Sequence, residues 1–155
     1  MNNTELKVSI MNNLRDYATR SGKKVKDDYF SIPEDSLVDN FRDWEVIKNE
    51  LKKGSGNELS PNSTDGKISF CALRSSAALC VNSFALMKEN MKEISFLDKT
   101  QFTQARFEYK LPTGLMGTPP NLDFYLENSS HVIGVESKFL EILDQNPQKL
   151  DAYIP

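Results

Sequence analysis

The sequence predicts an α+β protein whose helices flank a mixed sheet, and three features lead there. Helical periodicity dominates as far as residue 90, three strand-like segments follow between residues 102 and 139, and a Gly- and Pro-rich loop separates the first two of them. At 155 residues, 39% of them apolar and 26% charged, the chain can build a real core. A net charge of −3 with dispersed basic residues does not announce a polyanion binder, so any such site must be local. No apolar run approaches the roughly 20 residues that span a bilayer. The opening "MNNTELKVSI" lacks the charged-then-apolar design of a signal peptide, which predicts a cytoplasmic protein with Cys71 and Cys80 reduced.

Residues 5 to 20 space Leu6, Ile10, Leu14 and Tyr17 by three and four, an amphipathic helix ended by Ser21-Gly22. The basic patch "GKKVK" that follows reads as a solvated loop. A second helix is predicted from Pro33 to Gly54, with Leu37, Phe41, Trp44, Ile47 and Leu51 as its apolar stripe. Trp44 could stack on a base, but an aromatic in a regular stripe is more often core. A helical N-terminal region, residues 1–53, thus precedes a core region, residues 54–155. "GSGNELSPNSTDGK" (54–67) reads as a loop, unusually long for a compact domain unless it has a task, and Glu58 is its apolar-flanked acid. "ALRSSAALCVNSFALMKEN" predicts a largely buried helix over 73–88, capped by Ser75 or Ser76. In "FTQARFEYKL", Ala105, Phe107, Tyr109 and Leu111 alternate with Gln104, Arg106, Glu108 and Lys110, the period of a half-buried strand.

"NLDFYLENSSHVIGVESKF", residues 121–139, reads as a hairpin turning on Ser129-Ser130. A symmetric turn pairs residues whose numbers sum to 259, which sets Asp123 opposite Glu136. It also gathers Leu122, Phe124, Leu126, Ile133, Val135 and Phe139 on one apolar face, leaving Asn121, Asp123, Tyr125, Glu136 and Lys138 on the other. Like charges directly opposed destabilise a strand pair. A hard divalent cation such as Mg²⁺ would offset that repulsion, using the two carboxylates and a carbonyl oxygen, here that of Ser137. Lys138, on the same face, could orient a water beside the metal, and these are the parts needed to hydrolyse a phosphodiester. The acid-x-Lys tripeptide itself is weak evidence. It recurs at Glu5/Lys7, Glu50/Lys52, Asp65/Lys67 and Glu108/Lys110, and Glu50/Lys52 read as solvated helix surface. The alternative for the hairpin is a solvent-facing surface on which Lys138 merely compensates two acids.

The order of helix, three strands, Asp123 and then Glu136-Ser137-Lys138 resembles the PD-(D/E)xK nuclease superfamily, the restriction-endonuclease-like fold. The proline that usually precedes the aspartate is absent, with Pro119 and Pro120 slightly upstream. "GSGNEL" (54–59), "SSAALCVNSF" (75–84), Asp123 and "ESKFLE" (136–141) are similar to a bacterial branch with the pattern GxGNEL, SSxALxxNxF, D and ExKxxE. This resemblance implies an α/β/α sandwich and an endonuclease that uses Mg²⁺ or Mn²⁺ on nucleic acid, more often DNA. It also implies Glu58 as a further acid near the metal, with Ser75, Ser76 and Asn82 shaping the helix or its approach. After Glu141 only "ILDQNPQKLDAYIP" remains, short for the superfamily's second helix and fourth strand. A C-terminally incomplete core is therefore expected, its open sheet edge completed by a second copy or another chain. The rival expectation is a member that binds or assembles without hydrolysing anything.

Overall fold

The computed structural model describes residues 2–54, 56–112, 114, 116 and 119–143. Helix α1 (Asn3–Arg20) is followed by a two-stranded ribbon, β1 (Val25–Lys26) and β2 (Tyr29–Phe30). Helices α2 (Trp44–Lys53) and α3 (Ser76–Glu89) then precede an antiparallel meander of β3 (Gln104–Lys110), β4 (Asn121–Glu127) and β5 (Val132–Val135) in that spatial order. This is an α+β arrangement, and its sheet is antiparallel throughout the described residues. A parallel fourth strand, the element that would make it mixed, would have to follow residue 143, outside the described residues. No described helix is long and apolar enough to cross a membrane.

The second helix is shorter than its apolar stripe predicts. Pro33–Ser36 form a single 3₁₀ turn, Leu37 is extended, and the α-helix begins only at Trp44. The cause is a side chain from α3. Asn82 donates to the Ser36 carbonyl at 2.9 Å and accepts from the Val38 amide at 2.9 Å, taking up backbone groups that a continuous helix would use itself. Leu37 and Phe41 still reach the core from this irregular segment. Ser75 caps α3 by accepting from the Ala78 amide, as its position predicts.

One apolar core unites residues on both sides of Gly54. Trp44, Ile47 and Leu51 of α2 pack with Phe70, Val81 and Ala85, and with Phe107, Phe124 and Leu126 of the sheet. The outer edge of β3 is closed by a clasp. Glu50 accepts from the Phe107 amide at 3.0 Å and pairs at 2.9 Å with Lys88 of α3, which also donates to the Ala105 carbonyl at 2.6 Å. Glu50 is therefore not the solvated surface acid of the sequence reading, because α2 turns it onto the sheet edge.

Candidate functional site

The hairpin has the expected register. Phe124 pairs with Val135, Tyr125 with Gly134, Leu126 with Ile133 and Glu127 with Val132, each pair summing to 259. Strand β5 ends at Val135, so Glu136, Ser137 and Lys138 leave the sheet just after the last pair, at the level of Asp123. Asp123 reaches across this end: its Oδ2 accepts from the Ser137 amide at 2.6 Å. Ser137 Oγ in turn donates to the Ser76 carbonyl at 3.1 Å, tying the Glu-Ser-Lys segment to the first turn of α3. Lys138 Nζ lies 3.6 Å from Glu136 Oε2, with about half of each side chain exposed.

The distribution of residues over the sheet faces differs from simple alternation. Phe107 and Phe124 pack together in the core with tilted rings, centroids 4.8 Å apart, on the apolar face as predicted. Two residues further along each strand the same face should hold Tyr109 and Leu122. Instead Tyr109 lies against Tyr125, centroids 4.2 Å apart, and Leu122 covers Gly134, the partner of Tyr125. A Cβ at Gly134 would come within 2.9 Å of Leu122 Cδ1. Both strands therefore exchange faces between these pairs, at Glu108 and Asp123, where the β3–β4 ladder is interrupted between Phe107–Phe124 and Tyr109–Leu122. Glu108 adopts φ 51°, the left-handed region, and is the residue at which β3 turns over. Leu122 thus leaves the apolar face, and Asp123 does not share a regular face with Tyr125.

The exchange brings in an acid that sequence reasoning set aside as one more acid-x-Lys match. The Glu108 carboxylate accepts from the Asn121 amide nitrogen and lies flush against Gly54 at the end of α2. Glu58 is drawn into the same region. Its carbonyl accepts from the amide of the core residue Phe70 at 3.0 Å, and its carboxylate lies flush against Gly56. Burial, and then the negative charges of Glu108 and Asp123, push the Glu58 carboxyl above its ordinary value. Burial likewise raises Glu108, with Asp123 and Glu136 adding to the shift and the Asn121 hydrogen bond and the charge of Lys110 opposing it. The thiol of buried Cys80 is pushed up by burial and by Asp123, Glu108 and Glu136. Glu58, Glu108, Asp123 and Glu136 thus act on one another electrostatically at one end of the meander.

The carboxylates of Glu58, Glu108, Asp123 and Glu136 are oxygen donors, the chemistry that suits a hard divalent cation, and Lys138 lies beside Glu136. The Asn121 Oδ1 atom is buried and has no hydrogen-bond partner, a free oxygen donor beside Glu108. The residues present therefore fit such an ion. They are not preset around it: no three His, Cys, Asp or Glu side chains among the described residues already converge on a common point. Asp123 is turned to an amide, Glu136 to Lys138 and Glu108 to Asn121, each carboxylate finding a separate partner. Glu141 accepts from the Phe139 amide at 2.7 Å, a local turn contact.

A helical layer over an antiparallel meander, with acids from β3, β4 and the end of β5 at one rim, defines a restriction-endonuclease-like protein. Residues 12–152 match the family described as "Restriction Endonuclease associating with ARP", and the chain belongs to that family. No curated protein and no solved structure matches it.

Proposed function

We propose that the protein is a metal-dependent nuclease that hydrolyses phosphodiester bonds in nucleic acid, DNA in preference to RNA, with Mg²⁺ or Mn²⁺. The observation that carries this reading is the Asp123 carboxylate bound to the Ser137 amide within the Glu136-Ser137-Lys138 segment, at the matched end of the hairpin. Asp123, Glu136 and the Ser137 carbonyl would hold the ion, with Glu58 as the further acid. A bound divalent cation supplies charge stabilisation for the phosphoryl oxygens and lowers the pKa of a water. Lys138, half-exposed and on a short tether to Glu136, orients the attacking water and offsets charge developing on the phosphate.

The test is cleavage of mixed single- and double-stranded DNA and RNA with Mg²⁺ or Mn²⁺. Asp123→Asn and Lys138→Ala are expected to lose activity by about a hundredfold or more. Cleavage unchanged in both variants would remove the assignment. A second reading, binding or assembly without hydrolysis, draws support from carboxylates that do not converge without an ion. It predicts metal-dependent stabilisation of the wild-type protein with no cleavage of any of these polymers.

A further inference from the structure

We propose that Glu108 and Asn121 are metal-holding residues of this centre, with the Glu108 carboxylate and the Asn121 side-chain oxygen adding a second flank of ligands opposite Glu136. The proposal rests on the metal-dependent reading above and extends it to two residues outside the motif letters.

Four observations carry it. Glu108 and Asp123 sit at the break in the β3–β4 ladder between the pairs Phe107–Phe124 and Tyr109–Leu122, and Glu136 follows the last residue of β5 at the level of Asp123. The left-handed backbone at Glu108 breaks the alternation of β3, an unfavourable conformation for a residue with a β-carbon. Gly54 has no side chain where one would occupy the position of the Glu108 stem and carboxylate, so the end of α2 is cut away to admit it. Asn121 is paired through its nitrogen only, leaving Oδ1 buried and unpartnered beside the carboxylate. A solvated surface glutamate would require none of these. A half-buried acid serving only structure would be expected to form a close ion pair, as Glu50 does with Lys88 at the neighbouring edge of the same strand. Glu108 has instead a hydrogen bond from the Asn121 amide, with burial, Asp123 and Glu136 raising its carboxyl and the charge of Lys110 opposing them without a close ion pair among the described residues.

The test is Mn²⁺ and Mg²⁺ binding to the full chain by calorimetry, with thermal unfolding measured with and without metal. Glu108→Gln keeps the shape and the contact with Asn121 while removing the charge. It is expected to unfold at a higher temperature than wild type without metal, to bind Mn²⁺ about tenfold or more weakly, and to lose most of the metal-induced rise in Tm. Asn121→Leu should weaken Mn²⁺ binding in the same direction. Glu45→Gln, on the exposed face of α2, serves as the control and should bind as wild type does. Wild-type affinity in Glu108→Gln, with wild-type binding itself intact and abolished by Asp123→Asn, would overturn the role of Glu108 and leave the metal reading standing. Absence of Mn²⁺ binding by the wild-type chain would overturn both.

Discussion

Substituting Gly54 by alanine gives opposite signs of effect according to whether Glu108 lies where the geometry places it. Gly54 ends α2 with φ −62° and ψ 168°, a conformation that alanine adopts freely. With open space beside it, the substitution would stabilise the protein by about 0.4–1 kcal/mol, because alanine narrows the unfolded ensemble. The space is not open. The added Cβ would lie 2.8 Å from both Cγ and Cδ of Glu108 and still closer to its carboxylate oxygen. Contact with the stem as well as the tip means that the whole side chain must shift, and forced overpacking of this kind costs about 1–3 kcal/mol. The net expectation is destabilisation by about 1–2 kcal/mol, read as a lower urea midpoint at unchanged m-value. In a Glu108→Ala background the obstruction is gone, and the same Gly54→Ala change should become stabilising. The double-mutant cycle then gives a coupling above about 1 kcal/mol. Equal effects of Gly54→Ala in the two backgrounds would refute the packing of Glu108 on α2, and with it the place of Glu108 at this rim.

Three further outcomes follow from contacts away from that rim. Asn82→Ala removes its hydrogen bonds to the Ser36 carbonyl and the Val38 amide and leaves those two groups to find water, an expected cost of about 1–3 kcal/mol in urea unfolding. Lys88→Met strands Glu50 beside the β3 edge and should cost about 3–5 kcal/mol, with part recovered when Glu50→Leu is added; an additive pair would argue against the clasp. The Trp44 indole donates to Glu34 at 2.9 Å, and this hydrogen bond, then one from the Glu34 backbone and then Lys48, hold the Glu34 carboxyl below its ordinary value of 4.5 against the opposing effect of burial. Glu34 therefore favours folding while ionised, and that contribution is lost as the pH falls through its lowered value. Emission from Trp44, the single tryptophan, should report a transition below pH 4.5 that disappears in Glu34→Gln.

What could be read in the sequence was whatever burial alone decides. The hairpin register follows from matching Phe124, Leu126, Ile133 and Val135 on one face, and a symmetric turn permits only one such match. The cap at Ser75 is equally local. Two other features were hidden because their cause lies elsewhere in the chain. The stripe from Leu37 to Leu51 has helical spacing, yet Asn82, more than 40 residues later, pulls its first part out of the helix. Glu108 carries the alternation of an ordinary strand, and nothing in "FTQARFEYKL" reveals a left-handed residue in its middle. A signal for it does exist, in the two glycines of "GSGNEL". Gly54 lies under Glu108 and Gly56 under Glu58, so the spacing of that loop reports where two carboxylates must pass.

The resulting rim places like charges closer together than folding alone would favour. Two carboxyls are raised by burial and by their neighbours, and a strand residue holds an unfavourable backbone conformation. Free energy is stored there at the expense of stability, and conservative neutral substitutions at Glu58 or Glu108 should therefore stabilise the metal-free chain. On the proposed metal reading a divalent cation would reverse the balance by converting mutual repulsion into shared attraction, so metal-dependent stabilisation should be largest in the wild-type protein and smaller for each carboxylate neutralised. That ordering separates a metal centre from a chance gathering of acids, because in the latter every neutralising substitution would raise Tm equally with and without metal.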